Sequence, residues 1–369
     1  MSTSRRTVRT TALSIAALLV AAVAFCALSD PKGSGASPDS LKAWLSEGWQ
    51  DWSAGAWRSK PGEFYNPTIK GHWGSGRMSD SSDPDRLMAN DVSGMKVSDP
   101  VPRPVQAVAA APPYHSTVPV VGKVFFDSPN GPMVCSGTAV QDPAAPGRSN
   151  LVWTAGHCVH KGARGGWFRN IVFVPSYNNE GLSGAGGAEA PLDRVAPFGT
   201  WWADWAETAP QWISEGSSAG GDGYPFDFAV LHVRPAAGTT SLEEAIGAAA
   251  PVRFDVPAAD TLTTTSVWGY PAVKPFGGET MFSCQDRPGR LSVSRNKPTM
   301  YRIGCTMTGG SSGGGWFAPG PGGSMSLVSN TSIGSKAHTW LAGPPFGKQA
   351  KKVYRTVSNR FAATKTGGL

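Results

Sequence analysis

The feature that most constrains this chain is a glycine-rich run that contains two serines, Ser311 and Ser312. The run extends from Cys305 to Trp316 and carries no charged side chain. Glycine allows sharp turns and the close approach of another molecule, so a serine held there can present its hydroxyl and the flanking N–H groups to a substrate. The composition is equally consistent with a flexible Gly/Ser linker. The choice depends on whether the chain supplies a base and an acid elsewhere.

Two upstream residues fit those roles. His157 follows the short β-type run 151–154 and precedes Cys158, which suits a general base that must be held in place. Asp227 opens the apolar β-type run 227–233, where a buried carboxylate needs a partner such as a histidine N–H. Asp222, in the glycine-rich loop before this run, ranks second for the acid. We interpret His157, Asp227 and Ser312 as catalytic residues. The backbone N–H groups of Gly310 and Ser312 are then expected to form an oxyanion hole.

The chain order of these residues excludes a competing fold. The segment 310–314 also matches the G-x-S-x-G pattern of α/β-hydrolases, which place their acid and their histidine after the serine. After Ser312 the sequence contains one histidine, His338, and no Asp or Glu. The observed order of histidine, aspartate and serine is instead that of chymotrypsin. His160 and His232 are assigned no role.

The amino terminus predicts export from the cell. Three arginines precede an apolar run of about 17 residues from Ala12 to Leu28, and Ala27-Leu28-Ser29 suits a cleavage site. We predict a signal peptide over 1–29 and a secreted protein. A membrane anchor outside the cell is the alternative, because about 17 apolar residues lie at the lower limit for spanning. Residues 30–115 are then expected to be a largely irregular pro-region or linker, and 116–369 the functional domain.

The remaining cysteines predict disulfide bonds rather than a metal site. Four cysteines follow the signal segment, at 135, 158, 284 and 305, and an even number in a secreted chain favours two disulfides. Three connectivities are possible, and proximity in sequence favours Cys135–Cys158 and Cys284–Cys305. No C-x-x-C pair occurs, so zinc is not expected. We predict no cofactor, and the near-neutral middle of the chain gives no basic face for a nucleic acid.

Short strands and frequent turns dominate the sequence pattern. Gly (46) and Pro (31) make up about a fifth of the 369 residues, which favours many short strands over long helices. β-type runs occur at 118–126, 134–140, 151–154, 170–175 and 227–233. The long insertion 176–223 is interpreted as a surface excursion with one aromatic-anchored strand or turn. Residues 350–361 have apolar side chains at helical spacing and predict a carboxyl-terminal α-helix.

Four motifs in the right order carry a family resemblance, over about residues 117–361. The segment 154–158, Asp227 with the strand after it, the segment 310–314 and the segment 332–334 resemble the histidine, aspartate, serine and substrate-binding regions of trypsin-like serine peptidases. Serine at 311, where the animal enzymes carry aspartate, is similar to the bacterial secreted branch with V8-type glutamyl endopeptidases. Activation through a freed amino terminus is therefore not expected.

The resemblance implies an all-β fold of two orthogonal six-stranded β-barrels with a carboxyl-terminal helix. It implies that Thr306, Ser332 and Gly334 bind substrate, and that Thr306 lies at the pocket floor. Neither an acid at 306 nor a histidine at 331 is present, so neither Arg/Lys nor glutamate specificity is expected. We predict a monomeric secreted serine endopeptidase that acts on proteins or peptides. A catalytically inactive, protease-like binding protein of the cell envelope is the alternative.

Overall fold

Most of the regular structure consists of short strands. The computed structural model describes residues 38–52, 64–83, 87–88, 98–182, 189–217 and 222–362, and the predicted signal peptide lies outside these ranges. The helices in these ranges are α1 (Pro38–Leu45), α2 (Ser75–Ser79), α3 (Tyr114–Thr117), α4 (Leu192–Val195), α5 (Pro210–Glu215), α6 (Leu242–Ile246) and α7 (Lys348–Ala362). The strands are β1 (Leu87–Met88), β2 (Val108–Ala109), β3 (Val121–Ser128), β4 (Gly131–Val140), β5 (Leu151–Thr154), β6 (Arg169–Pro175), β7 (Trp201–Thr208), β8 (Ala229–Pro235), β9 (Thr265–Gly269), β10 (Phe282–Asp286), β11 (Gly289–Leu291), β12 (Met300–Gly304), β13 (Gly315–Pro319), β14 (Met325–Asn330), β15 (Ile333–Ser335) and β16 (Trp340–Gly343).

The first half of the fold is a closed six-stranded barrel in the order β3-β4-β5-β8-β7-β6. β3 and β4 are rich in β-branched, aromatic and small residues that pack well on a pleated surface, and every residue of β3 is buried. The Cys135–Cys158 disulfide ties β4 to the turn after β5. Cys284–Cys305 is the second disulfide, so the predicted connectivity is confirmed.

The second half differs from the predicted architecture. Its strands form two five-stranded sheets, in the orders β1-β15-β16-β12-β11 and β14-β13-β9-β10-β2. Each sheet has one strand from the predicted pro-region, β1 or β2, at an edge. A second closed, six-stranded barrel is therefore not confirmed. The first barrel and the predominance of strands are confirmed.

The segment 176–223 corrects a second expectation. β7 lies between β6 and β8 and is an integral strand of the barrel rather than a surface excursion. Trp201, Trp202, Trp205 and Trp212 are all buried, because their rings fill the barrel core and its margin. The predicted aromatic-anchored strand is thus present, but its surroundings were misjudged.

The predicted carboxyl-terminal helix is confirmed as α7. Ala350, Val353, Tyr354 and Val357 are buried on one face, and the helix packs against β7 and β8. Tyr354 donates a hydrogen bond to the carbonyl of Gln141. Among the helices that the structure describes, none is long and apolar enough to cross a membrane.

The described part of the predicted pro-region packs against the barrel. Trp44, Phe64 and Trp73 are buried, and the indole N–H groups of Trp44 and Trp73 both donate to Asn170 of β6, at 3.1 and 2.6 Å. Residues 36–369 accordingly form one compact unit. The segment is mostly irregular, with only short helices, and the boundary at residue 116 stays a prediction about processing.

A buried carboxylate holds this segment to the barrel. Asp127 of β3 is buried, with its Oδ2 2.6 Å from His72 Nε2 and its Oδ1 2.5 Å from Arg77 Nη2. Asn170 Nδ2 donates to Oδ2 at 2.7 Å. Burial alone would raise the pKa of Asp127, but the hydrogen bonds and charges of these partners outweigh it and lower the pKa below the ordinary value.

This arrangement predicts acid sensitivity. Because the pKa of Asp127 is depressed in the folded state, its contribution to stability is present above the unfolded pKa of about 3.9 and is lost as pH falls through the lower folded value. Urea unfolding of the wild type should show a free energy of unfolding that falls between about pH 4 and pH 3, more steeply than in Asp127→Asn. Asp80→Asn, a change at an exposed site on the same segment, is the control. Equal slopes for all three proteins would contradict the prediction.

Candidate active site

Two neighbouring barrel strands bring His157 and Asp227 together. β5 and β8 are antiparallel, and Thr154 at the end of β5 pairs with Ala229 at the start of β8. His157 lies in the 3₁₀ turn Gly156–Cys158 just after β5, and Asp227 follows the turn Tyr224–Phe226 just before β8. Both side chains are therefore at the same edge of the barrel.

His157 and Asp227 form a fully buried hydrogen-bonded pair. His157 Nδ1 lies 2.7 Å from Asp227 Oδ2, and the backbone N–H of His157 donates to Oδ1 at 2.8 Å. Ser332 Oγ donates to Oδ2 at 2.6 Å. A carboxylate with three donors is satisfied without water, and it holds the imidazole in one orientation. His157 Nε2 is buried and has no hydrogen-bond partner among the described residues.

The loop that carries Ser312 packs against the turn that carries His157. Ser136 N donates to Ser312 O at 2.7 Å, which joins the loop to β4 beside Cys135. Gly313 has φ +78°, and a Cβ there would lie 2.2 Å from Thr154 Oγ1 and 2.8 Å from Ala155 N. Only glycine fits at this position, because both the backbone angle and the space exclude a side chain. Across the described ranges, Ser312 Oγ has no hydrogen-bond partner.

The same loop presents N–H groups beside Ser312. Gly310 has φ +91°, and its carbonyl accepts from Ser136 Oγ at 2.9 Å. Ser311 Oγ donates to Thr308 O at 2.7 Å, and Ala272 N donates to Gly309 O at 2.6 Å. In the described part of the chain, the N–H groups of Gly310 and Ser312 have no acceptor. The loop is thus held by bonds from Ser136 and Ala272 outside it and by the bond of Ser311 within it.

The residues predicted to bind substrate separate into two groups. Gly334 lines the cleft beside Ser312, together with Met307, Thr308 and Thr331. Thr306 is not part of the cleft wall: its N–H donates to Val105 O, and its Oγ1 accepts from Ala107 N. Ser332 directs its hydroxyl to Asp227 rather than into the cleft.

Sequence reasoning missed the role of Ser136. Its hydroxyl accepts from Tyr270 N and donates to Gly310 O, both at 2.9 Å, so it joins β9, β4 and the serine loop. A serine beside Cys135 within an otherwise buried strand was the available signal, because a buried hydroxyl needs partners.

The site offers no set of metal ligands in the described residues. The one group of potential ligands consists of His157 with Cys135 and Cys158. These two sulfur atoms are joined in a disulfide and do not provide thiolates.

Solved structures of serine proteases resemble this chain, among them the following three. The thermostable serine protease AL20 from an extremophilic microorganism is 31% identical, with a TM-score of 0.52 over 65% of this chain and 97% of AL20. The protease Anisep from Arthrobacter nicotinovorans is 28% identical, with a TM-score of 0.53 over 68% of this chain and 98% of Anisep. A Glu endopeptidase solved with MPD is 17% identical, with a TM-score of 0.50 over 69% and 96% of the two chains, and it bears on the fold alone.

No protein-family model matches the chain, and no curated protein matches it. The assignment therefore depends on AL20, whose length this chain spans almost completely at 31% identity. The chain belongs to the chymotrypsin-like serine proteases and is a serine-type peptidase that acts on proteins or peptides.

Proposed function

We propose that this chain is a secreted serine endopeptidase that uses His157, Asp227 and Ser312 as its catalytic triad. The observation that carries the proposal is the buried His157–Asp227 pair, which lies beneath the loop of Ser312. The Nε2 atom of His157 has no hydrogen-bond partner among the described residues. A base with a free nitrogen, oriented by a carboxylate, is the arrangement that activates a serine hydroxyl.

The proposed reaction has two halves. Ser312 Oγ attacks the carbonyl carbon of the peptide bond while His157 Nε2 takes its proton. The C–N bond then breaks, and the proton passes from Nε2 to the leaving amine. Water, deprotonated by the same nitrogen, attacks the acyl-enzyme and releases the acid. Asp227 stabilises the imidazolium that forms in both halves.

The oxyanion of each tetrahedral intermediate needs two donors. We assign these to the N–H groups of Gly310 and Ser312, which have no protein acceptor within the described ranges. Removal of one such donor typically lowers the rate by about 10²- to 10³-fold. The bonds that hold the loop, from Ser311 Oγ to Thr308 O and from Ser136 Oγ of β4 to Gly310 O, support the idea that this geometry needs no freed amino terminus.

Two finer assignments belong to the same proposal. Secretion is supported by the signal-type amino terminus and by two disulfides, which persist in oxidising compartments. Membership of the V8-type branch is supported by Ser311, and the Glu endopeptidase likeness adds only the fold. Thr331 at the cleft still gives no reason to expect glutamate specificity.

Hydrolysis of casein and its inhibition by a fluorophosphonate test the proposal. The full chain should cleave casein, and a stoichiometric amount of the reagent should stop the reaction. A folded protein that neither cleaves casein nor reacts with the fluorophosphonate would contradict the proposal, and would favour the inactive binding protein.

A further inference from the structure

The cleft beside Ser312 has a largely aliphatic wall. Met307, Ile333 and Leu341 line it from the second half of the fold, and Leu87 of β1 lines it from the predicted pro-region. Met307, Ile333 and Leu341 are buried. Met307 lies in the serine loop, Ile333 in β15 and Leu341 in β16. They therefore form a preformed apolar surface rather than one that must be assembled on binding.

Charge is scarce at this wall. Among the described residues, His338 is the only titratable side chain that lines the cleft, and no Asp, Glu, Lys or Arg does so. An arginine or lysine side chain inserted there would lose water without gaining a carboxylate partner, which is costly. An acidic side chain would have His338 as its one candidate partner.

Leu87 indicates the size of group that fits. A Cβ added at Gly334 would lie 3.2 Å from Leu341 Cδ2 and 3.9 Å from Leu87 Cδ2, so the two leucines approach each other across this glycine. With β1 in place the cleft has only about 10 Å³ of free space, so a substrate side chain of leucine size must take the place of the Leu87 side chain.

We propose that this cleft selects substrates with a medium-sized aliphatic residue, such as leucine or methionine, on the acyl side of the cleaved bond. The inference rests on the proposed function, since it assigns the substrate class of the same site. Burial of such a side chain against Met307, Ile333 and Leu341 supplies the binding energy, and Gly334 adds no side chain of its own beside Leu341.

Tripeptide p-nitroanilides Ala-Ala-X, with X varied, test the substrate class. Leucine and methionine at X should give kcat/KM values about tenfold or more above those of arginine, lysine, aspartate and glutamate. Glutamate equal to leucine or better would overturn the proposal and indicate recognition by His338. Failure of the proposed function gives a different result, namely no cleavage of any substrate and no reaction with a fluorophosphonate.

A matched pair of variants tests the wall itself. Met307→Ala enlarges the cleft and should raise the ratio of kcat/KM for phenylalanine to that for leucine by about tenfold. Met300→Ala removes an equally buried methionine from β12 that does not line the cleft, and it should leave the ratio unchanged. Titration of active sites corrects for any loss of folded enzyme. An unchanged ratio in Met307→Ala, or equal changes in both variants, would overturn the assignment.

The pairing of β1 supports a second, independent inference. Leu87 and Met88 pair in parallel with Gly334 and Ser335 of β15, and Lys336 N donates to Met88 O at 2.9 Å. β1 is the outermost strand of its sheet, so without it β15 would be an exposed edge beside the cleft. A free edge is the surface on which an extended peptide adds as a further strand.

We infer that Leu87–Met88 blocks the enzyme from within the chain, because it occupies the strand edge and the cleft that a substrate needs. The burial of the site agrees with this: His157 has no exposed surface and Ser312 only 6%. A substrate can then bind only in the fraction of molecules from which β1 has detached, which raises the apparent KM without changing kcat.

Leu87→Asp in the full chain tests the block. The new charge is unfavourable against the aliphatic wall, so β1 should detach and KM should fall by about tenfold, with kcat unchanged. Leu45→Asp is the matched control, because Leu45 lies in the same predicted pro-region and is 52% exposed. Thermal unfolding checks that both variants fold.

Two outcomes would overturn this inference. A folded Leu87→Asp protein whose KM equals or exceeds that of the wild type would show that β1 does not compete with substrate. Cleavage of the chain after Leu87 in the wild type, and not in Ser312→Ala, would show that the segment is a substrate rather than a block. Failure of the proposed function is again distinguishable, since no variant would then react with a fluorophosphonate.

Discussion

Ser312→Ala is expected to lower kcat for peptide hydrolysis by about 10⁵- to 10⁶-fold, because the nucleophile of a triad enzyme cannot be replaced by its neighbours. The residual rate should stay above that in water, since the N–H groups of Gly310 and Ser312 remain. The fold should be preserved, because Ser312 Oγ makes no hydrogen bond to the described residues. Steady-state hydrolysis of a leucine p-nitroanilide measures the loss, and circular dichroism checks the fold.

Ser214→Ala is the control for this change. Ser214 is exposed on α5, and its hydroxyl donates only to the neighbouring Gln211 O, 3.4 Å away. Its loss should leave kcat within about twofold of the wild type. A folded Ser312→Ala enzyme with more than about 1% of wild-type kcat would contradict the assigned nucleophile.

Asp227→Asn should lower kcat by about 10⁴-fold. The carboxylate now accepts from His157 Nδ1, His157 N and Ser332 Oγ. An amide has a single acceptor oxygen, and its NH₂ group facing Nδ1 favours the tautomer that carries its proton on Nε2. That tautomer cannot accept the proton of Ser312. The measurement is kcat under saturating substrate, normalised to folded protein.

Asp222→Asn provides the matched comparison. Asp222 is an exposed acid five residues before Asp227, so the same change should leave kcat nearly unaltered. Similar losses in both variants would mean that overall negative charge, rather than the bond to His157, explains the effect.

The residues of the candidate triad were predictable because His157 and Asp227 adjoin runs with a strong β-type pattern and Ser312 lies in an uncharged glycine-rich run. The absence of carboxylates after Ser312 then left one chain order and removed the rival hydrolase fold. The α7 helix could be predicted from the sequence equally well, because its apolar residues recur at helical spacing over three turns. The two cysteines of each disulfide are close in sequence, so Cys135–Cys158 and Cys284–Cys305 were the simplest pairing to predict.

Other parts of the site depend on contacts that local patterns do not contain. Thr306 bonds to residues 105–107, about 200 positions away, so the position of the cleft wall could not be read from its own segment. The family resemblance assigned Ser332 to the substrate-binding segment, and only the fold brings its hydroxyl to Asp227. β1 is two residues long, which is too short for any periodicity to predict it.

β7 was misjudged for a different physical reason. Its tryptophans lie in a segment rich in Gly, Ala and Pro, which is typical of loops. Most of its residues are nevertheless buried, because the strand lies in the closed barrel and α7 packs against it. The usual alternation of polar and apolar residues is therefore weak.

The site of covalent labelling shows whether the buried His157–Asp227 pair activates Ser312. The full chain is treated with a fluorophosphonate and digested, and the modified residue is located by mass spectrometry. We expect one adduct per molecule on Ser312, absent from Ser312→Ala and formed much more slowly in Asp227→Asn. An adduct on another serine, or sustained casein hydrolysis by a protein that takes up no label, would contradict it.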